Sequence, residues 1–214
     1  MSGRKRGVKS SSYRVALDGK WSLSEFSDFF HVYAQAYSLS YAIVIDDDPS
    51  TQLVALIERF PWRGGYSTVN FYRDAFKMVP LRNRPEVTSI AYASPGTIDL
   101  ALFLAAALNI RKIVKQLVKS GEYINSLYSS IHRGLQERRM LKLDIREREL
   151  ELARRHVNFI ADSYKQLSEA MQIEKPELLL KASPNNLAAL KILLSLYRRV
   201  RKLAELEASG KMTL

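Results

Sequence analysis

The chain contains no cysteine. That excludes disulfide scaffolds, thiol nucleophiles, zinc sites built on Cys and iron–sulfur ligation, and it fits a reducing, cytoplasmic setting. Histidine is nearly as scarce, with three in 214 residues. His31, His132 and His156 stand far apart and none belongs to an H-E-x-x-H motif, so no metal or cofactor site is expected. Neither G-x-x-x-x-G-K-[ST] nor G-x-G-x-x-G occurs, so the glycine-rich phosphate cradles are absent too. The longest apolar run is the nine residues from Leu100 to Leu108. A membrane-spanning helix needs about 20, and no transmembrane segment is expected. The first residues, Met1 to Arg6, are basic but lead into no apolar core, unlike a secretory signal.

What is present is apolar residue and positive charge. Hydrophobic residues make up 47% of the chain, enough for a proper core. The net charge is +11, and it is unevenly spread. Residues 1–21 carry +5, residues 22–100 carry −3, residues 101–156 carry +6 and residues 157–214 carry +3. Basic charge therefore gathers at the N-terminus and in the second half. That asymmetry favours a polyanionic partner more than uniform basicity would.

Hydrophobic periodicity predicts an α+β chain that is predominantly α-helical. Tyr13, Val15 and Leu17 alternate as in a strand over 12–17. Ser22 and Glu25 form a capping box before a helix. Leu23, Phe26, Phe30, Tyr33, Tyr37, Tyr41 and Val44 follow at helical steps, as a core stripe ending before Asp46-Asp47-Asp48-Pro49. Short helices are expected over 51–59 and 68–78. A second strand is expected over 86–93, with Thr88, Ile90 and Tyr92 on one face, and the Ser94-Pro95-Gly96 turn after it. A helix is expected over 98–119, stopped by Gly121.

Between Glu122 and Gln172 there is no proline, which predicts one long helix or two nearly continuous ones. Within it, Leu150, Val157, Ile160, Tyr164, Leu167 and Met171 belong to a heptad seam. A helix beginning at Pro176 and a last, strongly apolar helix after Asn185-Asn186 complete the chain. The expected organisation is a flexible basic arm (1–11), a compact α+β domain with a two-stranded β element (12–120) and a helical domain (121–214). A short edge strand and a heptad seam both point to a homo-oligomer assembled through coiled-coil-like contacts.

Three clusters suit a phosphate backbone, because each Lys or Arg placed on a phosphate releases counterions. The arm offers Arg4, Lys5, Arg6 and Lys9. The long helix offers Arg138, Arg139, Lys142 and Arg146, of which Arg138, Lys142 and Arg146 fall on one ridge. The last helix offers Arg198 and Arg199. Trp62 and Arg63, in a glycine-flexed loop, could stack a base and hold a phosphate. The expected function is thus a non-enzymatic scaffold that self-assembles and contacts DNA or RNA without reading sequence.

Three alternatives use the same residues. The basic face could meet an acidic protein in a larger complex, or the arm could attach to an anionic membrane surface. Asp47, Asp48 and Asp74 could hold magnesium in a nuclease. Ser94 resembles a nucleophile elbow only in position. It lacks the first glycine, and Pro95 removes the N–H that an oxyanion hole would use there.

Overall fold

The computed structural model describes residues 11–60, 62, 65–141 and 149–214, with only the backbone described for residues 65–67, 138–141 and 149–153. Alternation in the first strand, β1 (Ser11–Leu17), buries Tyr13, Val15 and Leu17 and leaves Arg14 and Ala16 outside. β1 is one of four strands rather than two. β2 (Glu86–Ala91) and β3 (Gly96–Leu102) form a hairpin, and with β4 (Met212–Thr213) the all-antiparallel sheet runs in the order β2-β3-β1-β4.

β3 occupies residues read from the sequence as the start of a helix. The segment Thr97–Leu102 satisfies both periods over its short length, but Ile98, Leu100 and Leu102 point inward every second residue. Pairing with β1 on one side and β2 on the other decides the matter. A side chain at Gly96 would bring Cβ within 2.6 Å of the Ala91 carbonyl oxygen, so the turn demands glycine there. β2 is exposed along its whole length, and a register shift between Val87 and Ser89 breaks its expected alternation. β4 (Met212–Thr213) pairs with Ala16 and Leu17, so the last residues lie against the first strand.

Seven helices accompany this sheet among the described residues. α1 (Leu23–Val44) opens with the expected capping box: Ser22 Oγ accepts from Glu25 N at 3.1 Å, and Glu25 Oε2 accepts from Ser22 N at 2.8 Å. Its buried side is rotated from the expected stripe. Phe29, Tyr33, Ala36 and Tyr37 are covered, Phe26 and Phe30 are half-buried, and Leu23 is 87% exposed. α2 (Thr51–Arg59) and α3 (Gly65–Met78) follow, then a 3-10 turn over Leu81–Asn83.

α4 (Leu104–Leu141) consists of two helical stretches joined at a kink, which falls beside the expected stop at Gly121. Ser120, at φ −128° and ψ 28°, leaves the helical region. α5 (Glu149–Ala170), α6 (Pro176–Ala182) and α7 (Asn186–Ala208) complete the set, with Asn185 capping α7. α7 packs on α1, α4 and α5 at once. Buried residues from Tyr13 to Leu214 form one continuous hydrophobic cluster that crosses the expected boundary at 121. Among the described residues no helix is long and apolar enough to cross a membrane.

Glu25 links two of these features. Besides closing the α1 cap it pairs with Lys211, next to β4. The hydrogen bond from Lys211, then those from Ser22, hold its carboxyl far below the usual range, at about 2. Because the folded value is depressed, the stabilisation is complete above the unfolded pKa of about 4.3 and is lost as pH falls through the folded value. Urea midpoints measured across that window should fall further for the native protein than for Glu25→Gln. Identical pH dependence in the two would contradict this role.

Candidate nucleic-acid interface

The acids that could hold magnesium are already engaged. Asp47 accepts from Lys175 Nζ at 2.7 Å and Asp48 from Lys181 Nζ at 3.2 Å, which ties the α1–α2 junction to α6. Lys175 holds the Asp47 carboxyl below its ordinary range, first by its hydrogen bond and then by its charge. Asp74 lies among Arg59, Arg73 and Lys77, at 3.3–3.7 Å. Partial burial works against its ionisation, but the Arg73 hydrogen bond and the three cations prevail and keep its pKa low. The acids required by a magnesium nuclease are thus divided between two separate groups of cation partners. Among the described residues no three His, Asp or Glu side chains gather as a metal-binding group would.

Trp62 is not a stacking platform. Its ring is 6% exposed, sits 4.7 Å from the Phe71 ring, and donates from Nε1 to the Ile57 carbonyl at 3.2 Å. The residue adopts φ +51°, and Lys191 donates to its carbonyl at 2.7 Å. An indole folded inward and bonded to backbone has no free face for a base. The aromatic-and-arginine motif reads the same for a binding loop and a plug, and burial distinguishes them. Arg63 lies outside the described residues.

Arg199 also turns inward. Its guanidinium lies 3.7 Å over the Tyr72 ring and donates to Gln35 Oε1 at 2.6 Å and to the Ser195 carbonyl at 2.9 Å. Burial depresses its pKa, with Tyr72 opposing and Arg198 adding to the shift. This arginine joins α7 to α1 and α3 and cannot reach a phosphate outside. Its neighbour Arg198 is exposed, as is Lys202, which stands 3.8 Å from Asp28. Arg201 is held by Glu205 at 2.7 Å and by Asn125 at 3.2 Å.

The clearest cationic row lies on α4. Lys112, Lys115 and Lys119 are exposed, spaced by three and four residues on one ridge, opposite buried Ile110, Ile113, Val114 and Leu117. Among the described residues no carboxylate lies within ion-pair distance of any of them. From sequence they are only lysines beside a core stripe, because a lysine on a solvated face and one facing a ligand have the same periodicity. The folded structure adds their lack of partners. Of the other candidates, Arg4, Lys5, Arg6, Lys9, Lys142 and Arg146 lie outside the described residues. Arg138 and Arg139 fall at the end of α4, where only the backbone is described.

The heptad seam is spent within the chain. Ile160, Tyr164, Leu167 and Met171 are buried against α7 and α4. An antiparallel bundle and a self-associating coil impose the same a/d spacing, and here the partner helices come from the same chain. These four residues are therefore unavailable as an interface between copies. Val157, one step outside, is 56% exposed, and the Leu150 side chain lies outside the described set. Leu167→Ala should accordingly lower unfolding free energy by about 2–5 kcal/mol, measured by denaturant titration, without changing the molecular mass in solution. A mass change with little loss of stability would restore the seam as an intermolecular contact.

No family model, curated protein or solved structure matches this chain, and the residues above are the basis for assigning it a role.

Proposed function

We propose that this is a non-enzymatic protein that binds the phosphate backbone of DNA or RNA without reading sequence. The observation that carries the reading is the row Lys112, Lys115 and Lys119, exposed on one ridge with no carboxylate partner among the described residues. Unpaired lysines on a rigid helix can release counterions from a polyanion at little cost in side-chain rearrangement. Arg198 and Lys202 offer further exposed cations on α7. Asp47, Asp48 and Asp74 of the front half are meanwhile engaged with cations of their own.

A second reading, a subunit of a larger protein complex, draws on a different surface. Val87 and Ile90 on the edge strand β2, and Tyr92 just after it, are large, exposed apolar residues, and Leu23 at the start of α1 is another. Self-assembly, if it accompanies either reading, requires a surface of this kind rather than the buried seam.

Electrophoretic or fluorescence titration with a duplex oligonucleotide, starting from about 50 mM salt, separates the two. Binding should weaken steeply as salt rises. The triple variant Lys112→Ala, Lys115→Ala, Lys119→Ala should weaken it further and reduce the log–log salt slope by about 2–3. An unchanged slope, or no binding at low salt, would contradict the proposal.

A further inference from the structure

A cavity of about 740 Å³ opens between the last turns of α1, α2, the end of α3 and the Leu81–Asn83 turn. It lies apart from the α4 lysine row, and its size is that of a small-molecule site. The walls are mostly apolar, with Leu39, Ile45, Leu53, Leu56, Met78 and Val79 among them. At the rim, Asp46 and Arg82 carry opposite charges, which leaves no net preference for a ligand of either sign.

Ser38, Ser50, Thr51 and Gln52 add polar groups to the lining, and Tyr41 and Asn83 meet in it from neighbouring elements. Asn83 is 2% exposed and firmly placed. Its N–H donates to the Pro80 carbonyl at 2.8 Å, and its own carbonyl accepts from the Tyr37 hydroxyl at 2.6 Å. Its Nδ2 donates to the Tyr41 hydroxyl oxygen at 2.8 Å. Asn83 Oδ1, however, is buried with no hydrogen-bond partner. Tyr41 accepts the Asn83 bond and has no acceptor for its own proton among the described residues. Tyr37, one turn away, is satisfied in both directions, since it also accepts from Phe103 N at 2.9 Å. The Tyr33 hydroxyl in the same row is also buried without a partner, but of the incompletely bonded groups only the Tyr41–Asn83 pair lines the cavity.

Tyr41 offers a spare donor and Asn83 a spare acceptor, side by side. A group that both accepts and donates completes the pair: a hydroxyl or a carboxamide. A carboxylate cannot donate to Oδ1, and an ammonium cannot accept from Tyr41. We propose that the cavity binds a neutral amphipathic small molecule, its hydroxyl or carboxamide head on Tyr41 and Asn83 and its hydrocarbon body along Leu53, Leu56 and Met78.

Calorimetric titration of the full chain with octanamide and 1-octanol tests this, with octanoate and octylamine as charged counterparts. The neutral probes should bind saturably at one site, at least about fivefold tighter than the charged ones. Tyr41→Phe should weaken octanamide by about fivefold while keeping the ring in place. Ala42→Phe, which builds into the cavity from its half-buried wall, should abolish binding of both neutral probes. The proposal is overturned if neither neutral probe binds, if octanoate binds as tightly as octanamide, or if Ala42→Phe leaves the affinity unchanged. The comparison among the four probes decides the matter even if one variant fails to fold.

Discussion

The row of aromatic rings along α1 is the contact on which the rest of the structure depends. Phe29, Tyr33 and Tyr37 follow one another at ring separations of 5.6 and 6.4 Å, and Tyr41 continues the row at 6.3 Å. Large rings bury much area for little conformational entropy, and the helix that carries them packs on α3, α4, α6 and α7. Hydrogen bonds from a buried hydroxyl give the row a register as well as bulk. Tyr37 supplies it, joining Phe103 at the end of β3 to Asn83 in the 3-10 turn. Arg199, wedged over Tyr72 and bonded to Gln35, fixes α7 against the same helix. Removing α1 would take away one of the helices against which α7 packs.

Features set by local chemistry are legible in the sequence. The capping box at Ser22, the alternation of Tyr13, Val15 and Leu17, and the helical steps of the second half each report themselves within a few residues. Features set by distant partners are not. The segment Thr97–Leu102 becomes a strand because β1 and β2 flank it. The α1 stripe rotates toward Phe29 and Ala36 because several elements pack on that side. The expected stop at Gly121 appears as a kink at Ser120, and a second helical stretch follows because apolar residues continue on both sides, with Leu117 and Ile124 both buried.

The candidate site divides along the same line. Net charge and its gathering in the second half are visible from composition, and so is the excess of lysine beside the α4 core face. Whether a given cation is free depends on what the fold brings near it. Arg199 and Trp62 look like ligand groups in the sequence and are internal struts in the structure. Asp47, Asp48 and Asp74 look like a metal cluster and are each bound to cations from other turns or helices. The Tyr41–Asn83 pair has no sequence signal, because its significance is one hydrogen bond made and two left incomplete across 42 positions.

The central claim is that the exposed cations of α4 and α7, and not the buried seam or the Trp62 loop, form the working surface. Amide chemical-shift mapping on addition of a short duplex oligonucleotide at low salt tests it most directly. The account predicts shifts concentrated on residues 112–119 and 198–202 that reverse when salt is raised. Shifts centred on residues 60–65 or 157–171, or none anywhere, would contradict it.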